Sequence, residues 1–228
     1  MKLFFIRHGE TDWGALESRG VRGWARSFAP LTPKGRVQID VIASDYRLEA
    51  AQGILSSSYA RALESAARLS RSLDKPLHVE YDLHEWLPQK DSLGEMDDDI
   101  IRDANQQLSY YTGFVPFAER RVRAASNQAK HRAEEDRRVP VAERQPPPPE
   151  ARSWESVEEV RKRVVNVLRR YEHLETLIVV SHAVVISSML GVQRPIEYAE
   201  IVPLELDLAA QPPTAHVATL PDVDLQVG

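Results

Sequence analysis

The opening of the chain places chemically active side chains directly after a run of apolar residues. The segment FFIRHGETDWG changes at Arg7 and His8 from large apolar residues to polar ones. Residues 2–6 are too few for a helix, and their apolar composition favours a strand that is buried on both faces. The arginine and the histidine therefore follow at the carboxyl end of this strand. In an open parallel sheet, ligands bind at that edge.

Further polar side chains follow other predicted strands in the same way. Arg61 opens the helix after the second predicted strand, Glu85 follows the third, and His182 ends the fourth. Because the carboxyl ends of parallel strands share one edge of the sheet, we expect these side chains to lie with Arg7 and His8 in one pocket.

This set of side chains suits the chemistry of a phosphoryl group. Guanidinium groups bind phosphate oxygens in pairs and keep their charge at any working pH. A neutral histidine can act as a nucleophile toward phosphorus when its other ring nitrogen is held by a hydrogen bond. A carboxylic acid with a raised pKa can protonate the departing alkoxide. The predicted pocket thus holds the parts that a metal-free phosphomonoester hydrolase requires.

The elements that must position these residues alternate between strand and helix along the chain. Strands are predicted at residues 2–6, 53–56, 77–79 and 176–180, and helices from 32 onward, at 59–73, after 156 and at 183–190. This alternation predicts an α/β fold: a three-layer sandwich with a mostly parallel central sheet and helices on both faces. A partly helical insertion is predicted at about 88–152.

Two of the helices have clear start signals. Thr32 can cap the first of them, and Pro33 suits its first position, where a missing N–H costs nothing. Ser156 and Glu159 have the spacing of a capping box for the long helix near the end. Four apolar residues are expected to form the buried side of the helix that starts at Thr32. They are Val37, Val41, Ile42 and Leu48.

Composition narrows the classes of function. The formal net charge of -5 argues against a general nucleic-acid binder, because phosphate backbones favour clustered Lys and Arg. The absence of cysteine excludes disulfides, thiolate metal sites and cysteine nucleophiles. No apolar stretch reaches the roughly 20 residues that span a bilayer. The N-terminus also lacks the apolar region of a signal peptide, so we expect a cytoplasmic protein with no membrane partner.

At the positions of the expected pocket, the sequence resembles the histidine phosphatase superfamily, the phosphoglycerate mutase-like enzymes. The matching segments, in chain order, are Arg7-His8-Gly9-Glu10-Thr11, Pro30-Leu31-Thr32-Pro33-Lys34-Gly35, Ser56-Ser57-Ser58-Tyr59-Ala60-Arg61-Ala62, Leu83-His84-Glu85, Glu155-Ser156 and Val180-Ser181-His182. Each match alone is weak, but six in the right order are a strong signal.

The resemblance implies roles for the pocket residues. His8 would become a phosphohistidine in a two-step reaction, and Arg7, Arg61 and His182 would hold the phosphoryl group together with it. The catalytic residues would be His8, Glu85 and His182, with Glu85 giving a proton to the leaving oxygen and later helping water to attack. The resemblance implies no metal and no organic cofactor. It implies a small phosphorylated substrate, and a homodimer is a candidate assembly.

The same resemblance implies a single domain over residues 1–228, with the segment 88–152 as a cap that sets specificity. Thr11 and Gly23 are candidate substrate-binding residues. The aromatic residues of the cap are expected to pack as a helical subdomain. They are Tyr110, Tyr111, Phe114 and Phe117.

The chain departs from the family pattern at several points. Gly14 stands where family members commonly have asparagine, and Ala183 stands where they have glycine. The residues after Glu85 read Trp-Leu-Pro-Gln-Lys instead of a glycine-rich turn. These departures leave open a catalytically weak module that binds a phosphorylated ligand or a partner. Residue types also do not separate a phosphatase from a phosphoglycerate-type mutase, so that alternative stays open at this point.

Overall fold

Among the residues that the structure describes, a six-stranded sheet forms the middle of the molecule. The computed structural model describes residues 1–91, 98–112, 148, 151–191 and 194–218. The strands are β1 (Lys2–Arg7), β2 (Ile54–Ser57), β3 (Leu77–Glu80), β4 (Thr176–Ser181), β5 (Ile201–Asp207) and β6 (Thr214–Val217). Their order across the sheet is β3-β2-β4-β1-β5-β6. The first four strands pair in parallel, and β5 and β6 are antiparallel to their neighbours.

Helices connect the strands and cover the sheet. Within the described residues they are α1 (Gly14–Glu17), α2 (Pro33–Ile42), α3 (Ala60–Leu73), α4 (Asp98–Thr112), α5 (Val157–Arg169) and α6 (Ala183–Leu190). Shorter 3-10 turns span Gly23–Phe28, Tyr46–Leu48 and Tyr81–Leu83. The predicted start signals are both confirmed: the Thr32 hydroxyl accepts from the Gly35 N–H, and Ser156 and Glu159 form the reciprocal capping box.

Strand β1 shows how the sheet supports a core on each face. Successive side chains of a strand point to opposite faces. Leu3 and Phe5 pack into the cluster that includes the apolar residues of α5 and α6, whereas Phe4 and Ile6 pack into the cluster of α2 and α3. All four are fully buried. The three-layer α/β fold predicted from the alternation of elements is confirmed.

Strands β5 and β6 extend the sheet beyond the four strands that the sequence predicted. β5 pairs with β1 and contains Pro203, a residue that argues against a strand with neighbours on both sides. The proline is tolerated because β6 pairs with β5 only from Leu204 onward. The edge of the sheet beside β1 is thereby covered.

The prediction for the buried side of α2 is wrong in part. Val37 and Val41 are 60% and 65% exposed, and Ile39 is the fully buried apolar residue of this helix. The helix ends at Ile42, so Leu48 is buried from a separate 3-10 turn. The helix face that turns inward is the one that contacts the loop after β1. Gly35 makes this contact, and Ile39 lies one turn further along the same face.

The contact between α2 and the loop after β1 is made by backbone atoms. A Cβ atom built on Gly35 would lie 2.2 Å from the carbonyl oxygen of Glu10, and one on Gly9 would lie 2.4 Å from the carbonyl oxygen of Gly35. Side chains never approach backbone this closely, so both positions require glycine. This packing sets the position of the loop that carries His8.

Gly35→Ala is expected to lower the free energy of unfolding by about 3 kcal/mol or more, because backbone must move to admit the methyl group. Urea denaturation monitored by circular dichroism measures the change. A matched control is Gly53→Ala, whose Cβ would meet Leu177 Cδ2 at an ordinary 3.6 Å. The control should change stability by about 1 kcal/mol or less. Equal midpoints for Gly35→Ala and the unsubstituted protein would contradict the close-packing argument.

Candidate active site

The carboxyl edge of the parallel strands brings His8, Arg61 and His182 together. His8 follows β1, His182 follows β4, and Arg61 lies in the first turn of α3. The Nε of Arg61 donates to Nε2 of His8 at 3.1 Å, and the ring centroids of the two histidines are 5.1 Å apart. All three side chains are buried. The convergence expected from the sequence is therefore present.

The hydrogen bonds of His8 define which ring nitrogen is reactive. Its Nδ1 lies 2.8 Å from the carbonyl oxygen of Gly9 and 3.3 Å from the hydroxyl of Thr11. A carbonyl oxygen only accepts, so Nδ1 carries the hydrogen and Nε2 keeps its lone pair. Burial first, and then the charges of Arg61 and Arg7, hold the pKa of His8 well below its usual range. His8 is a neutral imidazole whose Nε2 faces the Arg61 guanidinium.

Two guanidinium groups supply the positive charge of the site. Arg7 donates to the carbonyl oxygen of Ile196, and its guanidinium carbon lies 4.0 Å from the ring centroid of Tyr198. The guanidinium carbon of Arg61 lies 4.9 Å from the ring centroid of Tyr59 and 5.4 Å from that of Trp13. Burial lowers the pKa of both arginines. An arginine starts from so high a pKa that both stay cationic.

His182 is held by a serine of strand β2. Its Nε2 lies 2.8 Å from the hydroxyl oxygen of Ser57, which also accepts the N–H of Tyr59 at 3.3 Å. A hydroxyl has one hydrogen and two lone pairs, so Ser57 can donate to Nε2 while it accepts from Tyr59. In that tautomer, Nδ1 of His182 carries a hydrogen. Among the described residues this buried Nδ1 has no hydrogen-bond partner. A buried donor without a partner is costly, and a bound anion can satisfy it.

Glu85 lies next to this group of cations. It follows the 3-10 turn Tyr81–Leu83, which is tied to β4 by a hydrogen bond from the Ser181 hydroxyl to the carbonyl oxygen of Leu83 at 2.8 Å. The carboxylate accepts the N–H of Trp86 at 2.9 Å. Burial raises the pKa of Glu85, although the Trp86 hydrogen bond and the nearby arginines oppose that shift.

Thr11 and Gly23 are the remaining candidates from the sequence. Thr11 is buried, and its hydroxyl lies beside Nδ1 of His8, on the side away from the reactive nitrogen. Gly23 is buried, has a φ of +57° and begins the turn that carries Trp24. Their substrate-binding roles stay predictions. Gly14 is exposed, and a Cβ there would meet only the Asp12 carboxylate at 3.5 Å, so the asparagine common in the family would fit.

Sequence reasoning missed several residues that contact the site. Tyr198 stacks on Arg7, Trp13 lies beside Arg61, and Ser57 bonds His182. Tyr198 lies in an irregular segment with no periodic pattern, so no sequence signal marks it. Ser57 belongs to a matched motif, which is a signal that could have found it.

Some expectations concern residues that the structure does not describe. Most of the expected cap lies outside the described residues, including Phe114 and Phe117, and of Tyr110 and Tyr111 only the backbone is described, within α4. In the described part of the chain, no group of three His, Asp or Glu residues could hold a metal ion. No helix in that part is long and apolar enough to cross a membrane.

Comparison with known proteins identifies the family. A sequence profile of the histidine phosphatase superfamily (branch 1) matches residues 3–110 and 117–211. The chain therefore belongs to this superfamily, as its resemblance predicted. No curated protein sequence matches the chain at a significant level.

Solved structures share the fold along nearly the whole chain. YhfR of Bacillus stearothermophilus has a TM-score of 0.57 and 23% identity, with 98% of each chain covered. The mycobacterial glucosyl-3-phosphoglycerate phosphatase in complex with VO3 has a TM-score of 0.59 and 17% identity, covering 96% of this chain and 98% of that one. The α-ribazole phosphatase from Shigella flexneri has a TM-score of 0.55 and 19% identity, with 96% of each chain covered. These similarities show a phosphoglycerate mutase-like fold.

Proposed function

We propose that the protein is a phosphomonoester hydrolase that transfers a phosphoryl group from a small phosphorylated substrate to His8 and then to water. The observation that carries this proposal is the state of His8: a buried, neutral imidazole with Nδ1 held by a carbonyl oxygen and Nε2 facing a guanidinium group. Membership of the superfamily supports it. Two of the structures that share the fold are named as phosphatases.

In the first step, the lone pair on Nε2 of His8 attacks phosphorus, and the bond from phosphorus to the ester oxygen breaks. The electron pair leaves with that oxygen, which takes the proton of the Glu85 carboxyl group. Arg7, Arg61 and the Nδ1 hydrogen of His182 stabilise the charge on the nonbridging oxygens. The Arg61–His8 hydrogen bond must open before the attack, because it occupies the same lone pair.

In the second step, Glu85 is a carboxylate and accepts a proton from water as the water oxygen attacks phosphorus. The phosphorus–nitrogen bond breaks, and its electron pair returns to Nε2 of His8. The products are inorganic phosphate and the alcohol, and Glu85 is protonated again. The same carboxyl group thus acts as acid and then as base.

The experiment that tests this function measures where the phosphoryl group goes. Sugar phosphates, nucleotides, phosphoglycerates and phosphopeptides are offered, and release of inorganic phosphate is compared with transfer to an acceptor phosphoester. We expect release. We also expect the rate to survive EDTA, because two arginines supply the positive charge that metal ions supply in other phosphoryl-transfer sites.

Other outcomes would favour the alternatives. Transfer without release would establish a mutase and contradict the hydrolase. Tight binding of phosphate without turnover of any substrate would instead indicate a binding module, and loss of the rate in EDTA would contradict metal independence.

A further inference from the structure

A buried ion pair outside the pocket holds the loop that carries Glu85. Arg163, on helix α5, donates from Nε to Oε1 of Glu155 at 2.6 Å and from Nη2 to Oε2 at 3.0 Å. The two side chains are only 12% and 8% exposed. Separating the two side chains would leave an uncompensated buried charge, which is costly. The pair therefore stays together, and the backbone groups that hydrogen-bond to it are held in place.

Arg163 also contacts the backbone of the loop, at a residue before Glu85 and at Glu85 itself. Its Nη1 donates to the carbonyl oxygen of Asp82, and its Nη2 makes a longer contact of 3.4 Å with the carbonyl oxygen of Glu85 itself. A planar guanidinium fork fixes all these acceptors at once, which a lysine ammonium cannot do.

Glu155 binds the backbone on the other side of the acid. Its carboxylate accepts the N–H of Leu87 at 3.1 Å, and its own N–H donates to the carbonyl oxygen of Leu87 at 2.9 Å. The indole N–H of Trp86 donates to the Glu155 carbonyl oxygen. One pair of charged residues therefore makes hydrogen bonds or close contacts to the segment 82–87 on both sides of Glu85 and at Glu85 itself.

We propose that Arg163 and Glu155 are positioning residues for acid catalysis: they hold Glu85 at the distance from the leaving oxygen that proton transfer requires. The inference rests on the proposed hydrolase function. The pair itself bonds to the loop and makes no hydrogen bond to His8, Arg7 or Arg61 in the described structure, so its effect is carried by Glu85.

The test compares two substrates that differ in their need for an acid. An alkyl phosphate such as glycerol phosphate has a poor leaving group and needs protonation, whereas 4-nitrophenyl phosphate has a good leaving group and does not. For Arg163→Gln, we expect kcat/KM for the alkyl ester to fall about 10²-fold, since small misplacements of a catalytic group cost this much. This constant reports the transfer to His8 and not the later hydrolysis of the phosphohistidine, which both esters share. For the nitrophenyl ester, we expect a fall of less than about threefold.

The pH profile gives a second readout. The charged and titratable groups around the Glu85 carboxyl group are Arg7 from β1, Tyr59 and Arg61 from the start of α3, His84 from its own loop, and Arg163 from α5. Arg163 lowers the pKa of Glu85, so its removal raises that pKa. The alkaline limb of kcat for the alkyl ester should then move to higher pH.

Further variants keep the test decisive. Glu155→Gln should show the same selective loss, and Arg163→Lys should recover part of it because the charge remains. If Arg163→Gln does not fold, these two variants test the proposal in its place. The matched control is Arg170→Gln, at the residue that follows α5. This arginine is 51% exposed and pairs with Glu80, and its substitution should leave both rates unchanged.

The possible results separate the two proposals. Equal losses of kcat/KM for both esters, or no loss in any variant, would overturn the positioning role while the hydrolase stands. An unsubstituted protein that hydrolyses neither ester would count against the hydrolase itself.

Discussion

His8→Ala is expected to lower kcat/KM for phosphomonoesters by about 10⁴-fold or more, since removing the atom that bonds to phosphorus eliminates the proposed reaction path. The protein should stay folded, because the site does not depend on this imidazole for its main packing: the apolar clusters on both faces of the sheet remain. Release of inorganic phosphate at saturating and at low substrate measures the effect.

The matched control for this variant is His216→Ala. His216 is exposed on strand β6, far along the sheet from the site, and the substitution removes the same chemical group. It should leave kcat/KM unchanged. Acid-labile, alkali-stable labelling of the unsubstituted protein with radioactive substrate would show the phosphohistidine directly. A His8→Ala variant within tenfold of the unsubstituted rate would rule out His8 as the nucleophile.

Glu85→Gln is expected to lower kcat/KM for alkyl phosphates, which reports the transfer to His8 alone, by about 10²- to 10⁴-fold, the range that a positioned general acid contributes. An amide keeps the shape of the side chain and cannot donate the proton that an alkoxide needs. The loss for 4-nitrophenyl phosphate should be much smaller. Steady-state kinetics with both substrates measure the difference.

The pH dependence follows from the two pKa shifts. Burial raises the pKa of Glu85, so the acid is protonated below that value, and turnover should fall as pH rises through it. Burial, Arg61 and Arg7 lower the pKa of His8, so the nucleophile is neutral above that value, and turnover should fall as pH drops through it. Turnover should therefore have an acid limb that reports His8 and an alkaline limb that reports Glu85, and Glu85→Gln should remove the alkaline limb only.

Asp82→Asn is the control for Glu85→Gln. Asp82 lies in the same loop, and its backbone carbonyl contact with Arg163 is kept in the variant. This substitution should keep both limbs of the profile and most of the rate. An alkaline limb that persists in Glu85→Gln would mean that another group supplies the proton.

The electrostatics of the site favour an anionic ligand and keep His8 neutral. Arg7 and Arg61 hold two positive charges inside a buried region, and each lowers the pKa of His8. His182 is kept neutral in the same way, by burial and by Arg61. In the proposed reaction, the two arginines would attract the negative charge of a phosphoryl group and also keep His8 neutral for attack.

The ends of the strands and the starts of the helices could be predicted from the sequence, because each depends on a short segment of the chain. A short apolar run ending at Arg7 and His8 marks a strand and its carboxyl end, and the same holds for β4 and His182. The start signals of α2 and α5 depend on hydrogen bonds between residues three apart, so Thr32 and Ser156 were readable as caps.

The buried face of α2 could not be predicted from periodicity, because α2 packs on backbone. Gly35 has no side chain, so it does not count as an apolar position in a search for hydrophobic periodicity. Its contact with Glu10 nevertheless decides which side of the helix faces inward. Val37 and Val41 are exposed as a result.

The sequence by itself determined the fold class, the family and the set of residues at the carboxyl edge, because strand ends and motifs are properties of short segments. Only the tertiary structure decided how those residues work. The tautomer of His8, the ring of Tyr198 on Arg7 and the hold of Arg163 on the Glu85 loop join segments far apart in the chain. Such contacts depend on distances in space, which no local pattern of residue types contains.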